Sequence, residues 1–133
     1  MDSSDKTWEK QCSNFNRLSH IMPKVPRIIA IGDLHGDLEI TKKIFKFANL
    51  IDDNNNWIAE PENTIVVQVG DQLDSCRPTK TNICGIHGKY IENKTGDLEI
   101  FKFLYDINKI AEKQGGKVIS LLGNHELMNV DGD

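Results

Sequence analysis

Three short apolar runs along the chain predict the strands of one sheet. They cover residues 27–31, 64–69 and 117–122, and each ends directly before a glycine. Runs of this length that are rich in isoleucine and valine are typical of strands buried on both faces of a parallel sheet. The glycines predict a sharp turn at the end of each strand, where the backbone can approach an ion or a phosphate closely.

Two helices are predicted between these strands from apolar residues at helical spacing. Asp37 can cap the first helix, whereas Asp97 can cap the second, which ends at Gly115-Gly116. The predicted buried faces consist of Ile40, Ile44, Phe47, Ala48 and Ile51 in the first helix, and of Ile100, Phe103, Leu104, Ile107 and Ala111 in the second. The alternation of strands and helices predicts two βαβ units and therefore a parallel, helix-covered α/β sheet.

Two segments lie outside this pattern. Residues 1–26 are polar and contain Pro23 and Pro26 at their end, so we expect a loosely ordered lead-in to a domain that covers residues 27–133. Residues 75–96 are polar and lack periodicity, which indicates a long loop.

Composition indicates the number of domains, the classes of partner that are disfavoured and the cellular compartment. The chain has 133 residues, enough for one domain with a core, and a net charge of −4 that favours neither a nucleic acid nor a membrane surface as partner. Three cysteines, a polar N-terminus and the absence of a long apolar run predict a cytoplasmic protein.

Polar residues that suit a metal site follow each of the three predicted strands. Asp33 and His35 follow the first strand and could bind one cation together, Asp71 follows the second, and Asn124 follows the third. Because the carboxyl ends of parallel strands meet at one edge, we expect these side chains to lie together. Mixed oxygen and nitrogen ligands favour manganese, iron or zinc over calcium, and Asp71 could bridge two such ions.

A candidate proton donor lies next to these ligands. His125 follows Asn124 directly and could protonate a leaving alkoxide, while Asp74 could hold its imidazole in the required tautomer. Each motif alone has a simpler interpretation as a turn, a surface residue or a helix start. Their conjunction after three buried strands favours phosphate-ester chemistry at two metal ions.

Two other metal sites are weaker hypotheses. Residues 52–56 are rich in Asp and Asn, but a calcium loop requires a glycine where Trp57 stands and a glutamate where Asn63 stands. Ordinary loop residues are the better interpretation of Cys76, Cys84 and His87, because a structural zinc site needs a fourth ligand.

The motifs resemble those of calcineurin-like metallophosphoesterases, and within them the phosphoprotein phosphatases. The three motifs are Gly-Asp-Leu-His-Gly at 32–36, Gly-Asp-Gln-Leu-Asp at 70–74 and Gly-Asn-His-Glu at 123–126. The continuation Leu127-Met128-Asn129 looks most like the bacterial-type, Shewanella-like branch. The resemblance implies an α/β/β/α sandwich, of which this chain holds the first βαβαβ portion, with two divalent transition metals between the sheets.

Roles for individual residues follow from the same resemblance. It implies that Asp33, His35 and Asp71 hold one metal, that Asp71 and Asn124 hold the other, and that Asn124 also contacts phosphate. His125 and Asp74 would be the proton-donating pair. The implied reaction is attack of metal-bound hydroxide on a phosphomonoester of a phosphoprotein, with manganese as the first expectation and iron or zinc as alternatives.

Two departures from the family pattern leave other functions open. Ser75-Cys76-Arg77 replaces the usual Arg-Gly, so Arg77 is the candidate phosphate ligand from a shifted position. The family's later histidine ligands and second arginine do not occur before residue 133, which predicts an incomplete second metal shell and an uncovered apolar sheet surface prone to association. The alternatives are a phosphodiesterase or nucleotide hydrolase of the same superfamily, or an inactive metal- or phosphate-binding relic.

Overall fold

The computed structural model describes residues 3–13, 18–19, 21–74 and 96–132. Its elements in chain order are α1 (Ser3–Gln11), β1 (Ile28–Ile31), α2 (Leu38–Phe47), β2 (Ile65–Gln68), α3 (Gly96–Lys113), β3 (Lys117–Ser120) and α4 (Asn124–Asp131). The three predicted strands and both connecting helices are confirmed, and each strand is one or two residues shorter than predicted.

The strands form one parallel sheet in the order β1-β2-β3. Gln68 at the end of β2 pairs with Ile31 at the end of β1 on one side and with Ser120 at the end of β3 on the other. The three strands therefore end level with one another. This register brings the three loops that follow them to one edge of the sheet, as predicted.

The core lies between the sheet and the helices α2 and α3. All the residues predicted for the buried face of α3 are buried, and the rings of Phe45 and Phe103 meet edge to face with centroids 5.4 Å apart. Asn108 on α3 also accepts a hydrogen bond of 2.9 Å from the backbone N–H of Val118 on β3. These contacts fix the long helix α3 against the strand that leads to the third loop.

The predicted buried face of the first helix is confirmed at Ile51 and in part at Ile44 and Ala48, but it is wrong at Ile40 and Phe47. Phe47 is 92% exposed and Ile40 is 46% exposed, whereas Thr41 and Phe45 are completely buried. Thr41 is tolerated inside because its hydroxyl donates to the backbone oxygen of Asp37 at 2.7 Å. The hydroxyl is thereby satisfied within the helix, so a polar residue is buried at a position that the predicted apolar face did not include.

Two helices were not predicted. The helix α1 lies within the segment expected to be a loosely ordered lead-in, and α4 begins directly at the third motif, at Asn124. Among the described helices, none has the length and apolar character required to cross a membrane.

Apolar side chains at or next to the ends of all three strands are exposed. Ile28 is 63% exposed, and Val69 and Leu122, which follow β2 and β3, are 47% and 71% exposed. Exposed apolar side chains at strand ends agree with the expected uncovered sheet surface. Association through this surface stays a prediction.

Candidate active site

Backbone hydrogen bonds join the first loop to the second. The N–H groups of Leu34 and His35 both donate to the carbonyl oxygen of Asp71, at 2.9 Å and 3.0 Å, and Gly36 donates to Gln72 at 2.8 Å. The first loop therefore lies directly on the backbone of the second, so that Asp33 and His35 are held beside Asp71.

Two glycines allow the second and third loops to approach each other. A Cβ atom on Gly70 would collide with the backbone of Gly123, and a Cβ atom on Gly123 would collide with Asp71. Gly70 also has a φ of 105°, which disfavours any other residue. The glycines expected to admit an ion or a phosphate thus serve, at these two positions, the contact between loops.

A buried carboxylate holds the second and third loops together. Glu126 in the first turn of α4 is 4% exposed. Its oxygens accept backbone hydrogen bonds from Gln72 at 2.7 Å, Asp71 at 2.8 Å, Leu73 at 3.2 Å and Gly123 at 2.7 Å. We call this arrangement, Glu126 with those four N–H groups, the Glu126 clamp.

The clamp keeps Glu126 ionised. Burial alone would raise the pKa of Glu126, but the hydrogen bonds from Gly123, Asp71 and Gln72 outweigh it and hold the pKa below its usual range. The sequence analysis gave Glu126 no role of its own within the third motif. A glutamate three residues after a glycine that follows a strand was the available signal, but three of its four partners are 53 to 55 residues away along the chain.

Three predicted site residues adopt left-handed backbone conformations. His35, Asp71 and Asp74 have φ values of 44°, 56° and 64°. Such values are uncommon for residues other than glycine and concentrate at functional sites. The loop contacts described above hold the backbone in these conformations, which direct three side chains towards one place.

The hydrogen bonding of His35 leaves one ring nitrogen free for a ligand. Its Nδ1 lies 2.9 Å from the carbonyl oxygen of Leu73, which can only accept, so Nδ1 carries the proton. Nε2 is buried without a hydrogen-bond partner and lies 3.6 Å from a carboxylate oxygen of Asp33. An unprotonated nitrogen with its lone pair available is the form of imidazole that binds a metal.

The side chains around His35 fit a divalent transition metal. Ligand atoms of His35, Asp71 and His125 all lie within 4.8 Å of one another. Asp33 is adjacent to this group through His35, and its side chain is 60% exposed. Carboxylate oxygens and imidazole nitrogens form the mixed donor set expected for manganese, iron or zinc. His125 is close enough to belong to the group, although the sequence predicted it as a proton donor.

Asn124 lies against Asp71 in a geometry that also suits a cation. One end of its amide is 3.1 Å and 3.3 Å from the two carboxylate oxygens of Asp71. With the nitrogen in that place the amide donates to Asp71, and with the oxygen there it offers a second ligand atom beside the carboxylate. The structure thus brings Asn124 to Asp71, and their sharing of an ion stays a prediction.

His125 and Asp74 form the predicted pair. The Nδ1 atom of His125 lies 2.7 Å from a carboxylate oxygen of Asp74. The side chain of Asn129 donates to both oxygens of Asp74, at 3.2 Å and 3.1 Å, and this third partner was not predicted. Burial alone would raise the pKa of Asp74, but hydrogen bonds from His125 and Asn129 outweigh it and lower the pKa.

The backbone also fixes where His125 lies. Its N–H donates to a carboxylate oxygen of Asp71 at 3.1 Å, and its ring meets that of His35 edge to face with centroids 4.9 Å apart. The proton-donor candidate is therefore anchored to the candidate bridging ligand.

Some predicted site residues fall outside the described residues. Arg77, the candidate phosphate ligand, is one of them, as are Cys76, Cys84 and His87 of the weak zinc hypothesis. The acidic segment at 52–56 is described, and there Asp52 accepts hydrogen bonds from the backbone and side chain of Asn56 and from the backbone of Asn54. The oxygens of Asp52 are used to close a turn, which agrees with the interpretation against calcium.

The residues that form this site also match a known protein family. Residues 26–132 match the calcineurin-like phosphoesterase family, which covers all three loops. The chain belongs to the calcineurin-like phosphoesterase family. This family is metal-dependent, and the α/β portion described above is the first part of its fold.

Two relatives that are similar in sequence are Shewanella-like protein phosphatases, the branch predicted from the motifs. The chain is 41% identical over 110 residues to Shewanella-like protein phosphatase 2 of Arabidopsis thaliana, an alignment that covers 83% of this chain and 23% of the relative. It is 40% identical over 106 residues to Shewanella-like protein phosphatase 1 of Plasmodium berghei, covering 80% of this chain and 24% of the relative. The chain thus spans about a quarter of the length of these relatives.

A solved structure from a Shewanella species is similar to this chain in fold. The cold-active protein-tyrosine phosphatase of a psychrophilic Shewanella species superimposes with a TM-score of 0.63 at 26% identity, over 85% of this chain and 29% of that one. The predicted resemblance to the Shewanella-like branch of this superfamily is therefore confirmed.

Proposed function

We propose that the chain contributes the metal-binding edge of a protein phosphatase that hydrolyses phosphomonoesters of serine or threonine. The His125–Asp74 contact of 2.7 Å beside His35 and Asp71 supports this proposal most directly. A module that only binds metal or phosphate has no use for a proton donor held by a carboxylate. The names of the two sequence relatives also support a phosphatase.

In this proposal, residues of the three loops bind the metal ions and the phosphate, and others transfer a proton. Asp33, His35 and Asp71 would hold one ion, with His35 using Nε2, and Asp71 and Asn124 would hold a second. Two divalent transition metals, manganese in our first expectation and iron or zinc otherwise, would supply positive charge to the phosphate and lower the pKa of water. Asn124 and Arg77 would contact the phosphate.

His125 would deliver a proton to the leaving oxygen. Because Nδ1 faces Asp74, the proton to be transferred is at Nε2 of His125, and Asp74 stabilises the charged ring before the transfer. The leaving alkoxide of serine or threonine is a strong base, so its departure depends on such a donor. A phosphoenzyme is not required by this arrangement.

The substrate and setting are also proposals. We infer that residues 27–133 form the first part of a catalytic domain preceded by residues 1–26, and that the protein works in the cytoplasm on a phosphoprotein. The Shewanella structure is that of a protein-tyrosine phosphatase. Phosphotyrosine is therefore the second candidate substrate, ahead of phosphodiesters, nucleotides and an inactive metal-binding relic.

An assay of the purified protein with manganese separates these functions. Matched phosphopeptides that carry phosphoserine, phosphothreonine or phosphotyrosine are compared with a phosphate diester, and bound metal is counted on the same preparation. We expect turnover of the serine and threonine peptides, and a loss of about 100-fold or more on His125→Ala. Asp53→Asn is the matched control, because Asp53 is 94% exposed and pairs with Lys46 far along the chain from the three motifs.

Each other outcome identifies a different function. Preference for the phosphotyrosine peptide would indicate a protein-tyrosine phosphatase. Preference for the diester would indicate a phosphodiesterase. Metal binding without turnover of any substrate, unchanged by His125→Ala, would contradict a phosphatase and favour a relic.

A further inference from the structure

Asn129 is the residue of α4 that contacts both members of the candidate proton-donating pair. Its side-chain nitrogen donates to the two carboxylate oxygens of Asp74 at 3.2 Å and 3.1 Å, and to the backbone oxygen of His125 at 2.9 Å. The amide therefore lies between the Asp74 carboxylate and the turn of helix that carries His125.

The helix spacing explains how one residue reaches both. Asn129 follows His125 by four positions, so the two lie above each other on one face of α4 (Asn124–Asp131). From this position the amide can contact the carbonyl of His125 and extend to Asp74, which comes from the second loop. The contact thus crosses between two loops.

The geometry suggests what the contact does to Asp74. The oxygen of Asp74 that lies 2.7 Å from His125 is also 3.1 Å from the Asn129 nitrogen, and the other oxygen is 3.2 Å from that nitrogen. Contacts to both oxygens fix the plane of the carboxylate. A fixed plane fixes the direction of the hydrogen bond to His125, and hence the orientation of the ring.

We propose that Asn129 is a positioning residue that orients Asp74 and thereby aims Nε2 of His125 at the leaving oxygen, an assignment that rests on the proposed phosphatase function. It acts through Asp74 and touches no reacting atom. Substrates whose leaving oxygen needs a proton, such as phenyl phosphate and phosphoserine, depend on Asn129. Substrates with an activated leaving group, such as 2,4-dinitrophenyl phosphate, do not.

A purely structural role for Asn129 predicts a different result. If the residue only stabilises α4, its loss lowers the amount of folded enzyme and reduces turnover of all substrates alike. A positioning role changes the ratio between substrates, because only proton transfer is impaired. The ratio does not depend on how much enzyme is folded.

The test compares Asn129→Ala and the isosteric Asn129→Asp with wild type on phenyl phosphate and 2,4-dinitrophenyl phosphate in the manganese-loaded protein. We expect kcat for phenyl phosphate to fall about 10- to 100-fold in both variants, with KM unchanged and little change for the activated ester. His125→Ala serves as the reference for complete loss of the donor. Val130→Ala is the matched control, because Val130 is the next residue of α4 and is 82% exposed.

A second measurement on the metal-free protein requires no turnover. Nitrogen-15 NMR of the histidine rings reports the proton on Nδ1 of His125 and its exchange with water. We expect a protected Nδ1 proton in wild type and in Val130→Ala, and faster exchange in both Asn129 variants. Unchanged exchange in those variants would overturn the positioning role.

The two measurements separate this inference from the proposed function. If His125→Ala changes the substrate ratio and the Asn129 variants do not, the role of Asn129 is wrong while the phosphatase proposal stands. If His125→Ala affects both esters equally, the proton-donor role of His125 fails, and the NMR result still decides whether Asn129 orients its ring.

Discussion

Glu126 and Asp33 are both acidic residues that closely follow strands of the same sheet, yet their surroundings are opposite. Glu126 is 4% exposed and accepts four backbone hydrogen bonds in the Glu126 clamp. The side chain of Asp33 is 60% exposed and lies 3.6 Å from the free nitrogen of His35. One charge is neutralised by the protein itself, and the other is available to a ligand.

This difference distinguishes residues that stabilise the loops of the site from residues that can bind a ligand there. A carboxylate surrounded by N–H donors is bound to the fold and has no capacity left for a cation. A carboxylate with open oxygens beside an imidazole nitrogen that has no hydrogen-bond partner costs the fold little and suits a metal. Substitutions should therefore affect stability at Glu126 and metal affinity at Asp33.

The largest effect is expected at Glu126. Glu126→Ala leaves four N–H groups in or near the interior without acceptors, so we expect a loss of about 3 kcal/mol or more in the free energy of unfolding. Denaturant unfolding with circular dichroism measures it. Glu112→Ala is the control, because the Glu112 side chain is 48% exposed and lies 3.7 Å from Lys117, so that its removal should change stability by less than about 1 kcal/mol. Equal losses in the two variants would contradict the clamp.

Gly70→Ala tests the loop contact that the clamp secures. Alanine there combines a φ of 105° with a collision with the backbone of Gly123, so we expect a loss of about 2 to 3 kcal/mol. Gly32→Ala is the matched control at the end of β1, since no atom lies within 4 Å of its added Cβ. Thermal unfolding of both variants gives the comparison, and a similar midpoint for the two would refute tight contact between the second and third loops.

The charge of Glu126 should also give stability a specific dependence on pH. Because the pKa of Glu126 is lowered in the folded state, its contribution is present above the unfolded pKa of about 4.3 and is lost as the pH falls through the folded pKa. Wild type should exceed Glu126→Gln by about 2 kcal/mol at pH 7 and approach it in acid. Urea unfolding at several pH values measures this difference, and a constant gap would indicate that ionisation of Glu126 does not contribute.

The smallest effect on stability is expected at Asp33. Asp33→Asn should alter the free energy of unfolding of the metal-free protein by less than about 0.5 kcal/mol, because the side chain is largely exposed. Its manganese affinity, measured by calorimetric titration, should fall at least about tenfold. Asp53→Asn, the control, should leave both the free energy of unfolding and the manganese affinity unchanged. A stability loss at Asp33 as large as that at Glu126 would erase the distinction between the two carboxylates.

Local patterns predicted the framework and the location of the site. The apolar runs with their terminal glycines gave β1, β2 and β3, and the residues of the α3 face were all correct because that helix packs on one side along its length. The level ends of parallel strands then brought Asp71 and Asn124 together without any knowledge of side-chain contacts.

Contacts between distant residues could not be predicted in the same way. Gln68 is a polar residue in an apolar strand, and in the fold its amide donates to the carbonyl of Gly32, 36 residues earlier in the chain, at 3.2 Å. Three partners of Glu126, and the Asp74 partner of Asn129, likewise lie on another loop. Burial and orientation decide such roles, and neither is visible in the spacing of residues along the chain.

The most direct test of the site is pulsed electron paramagnetic resonance of the protein loaded with Mn²⁺. A histidine nitrogen bound to the ion gives a nitrogen-14 coupling in the spectrum. We predict this coupling in wild type and in Asp53→Asn, and its loss in His35→Ala, since Nε2 of His35 is the free ligand atom. Bound manganese without nitrogen coupling in wild type, or with coupling unchanged in His35→Ala, would contradict a metal site at the ends of these strands.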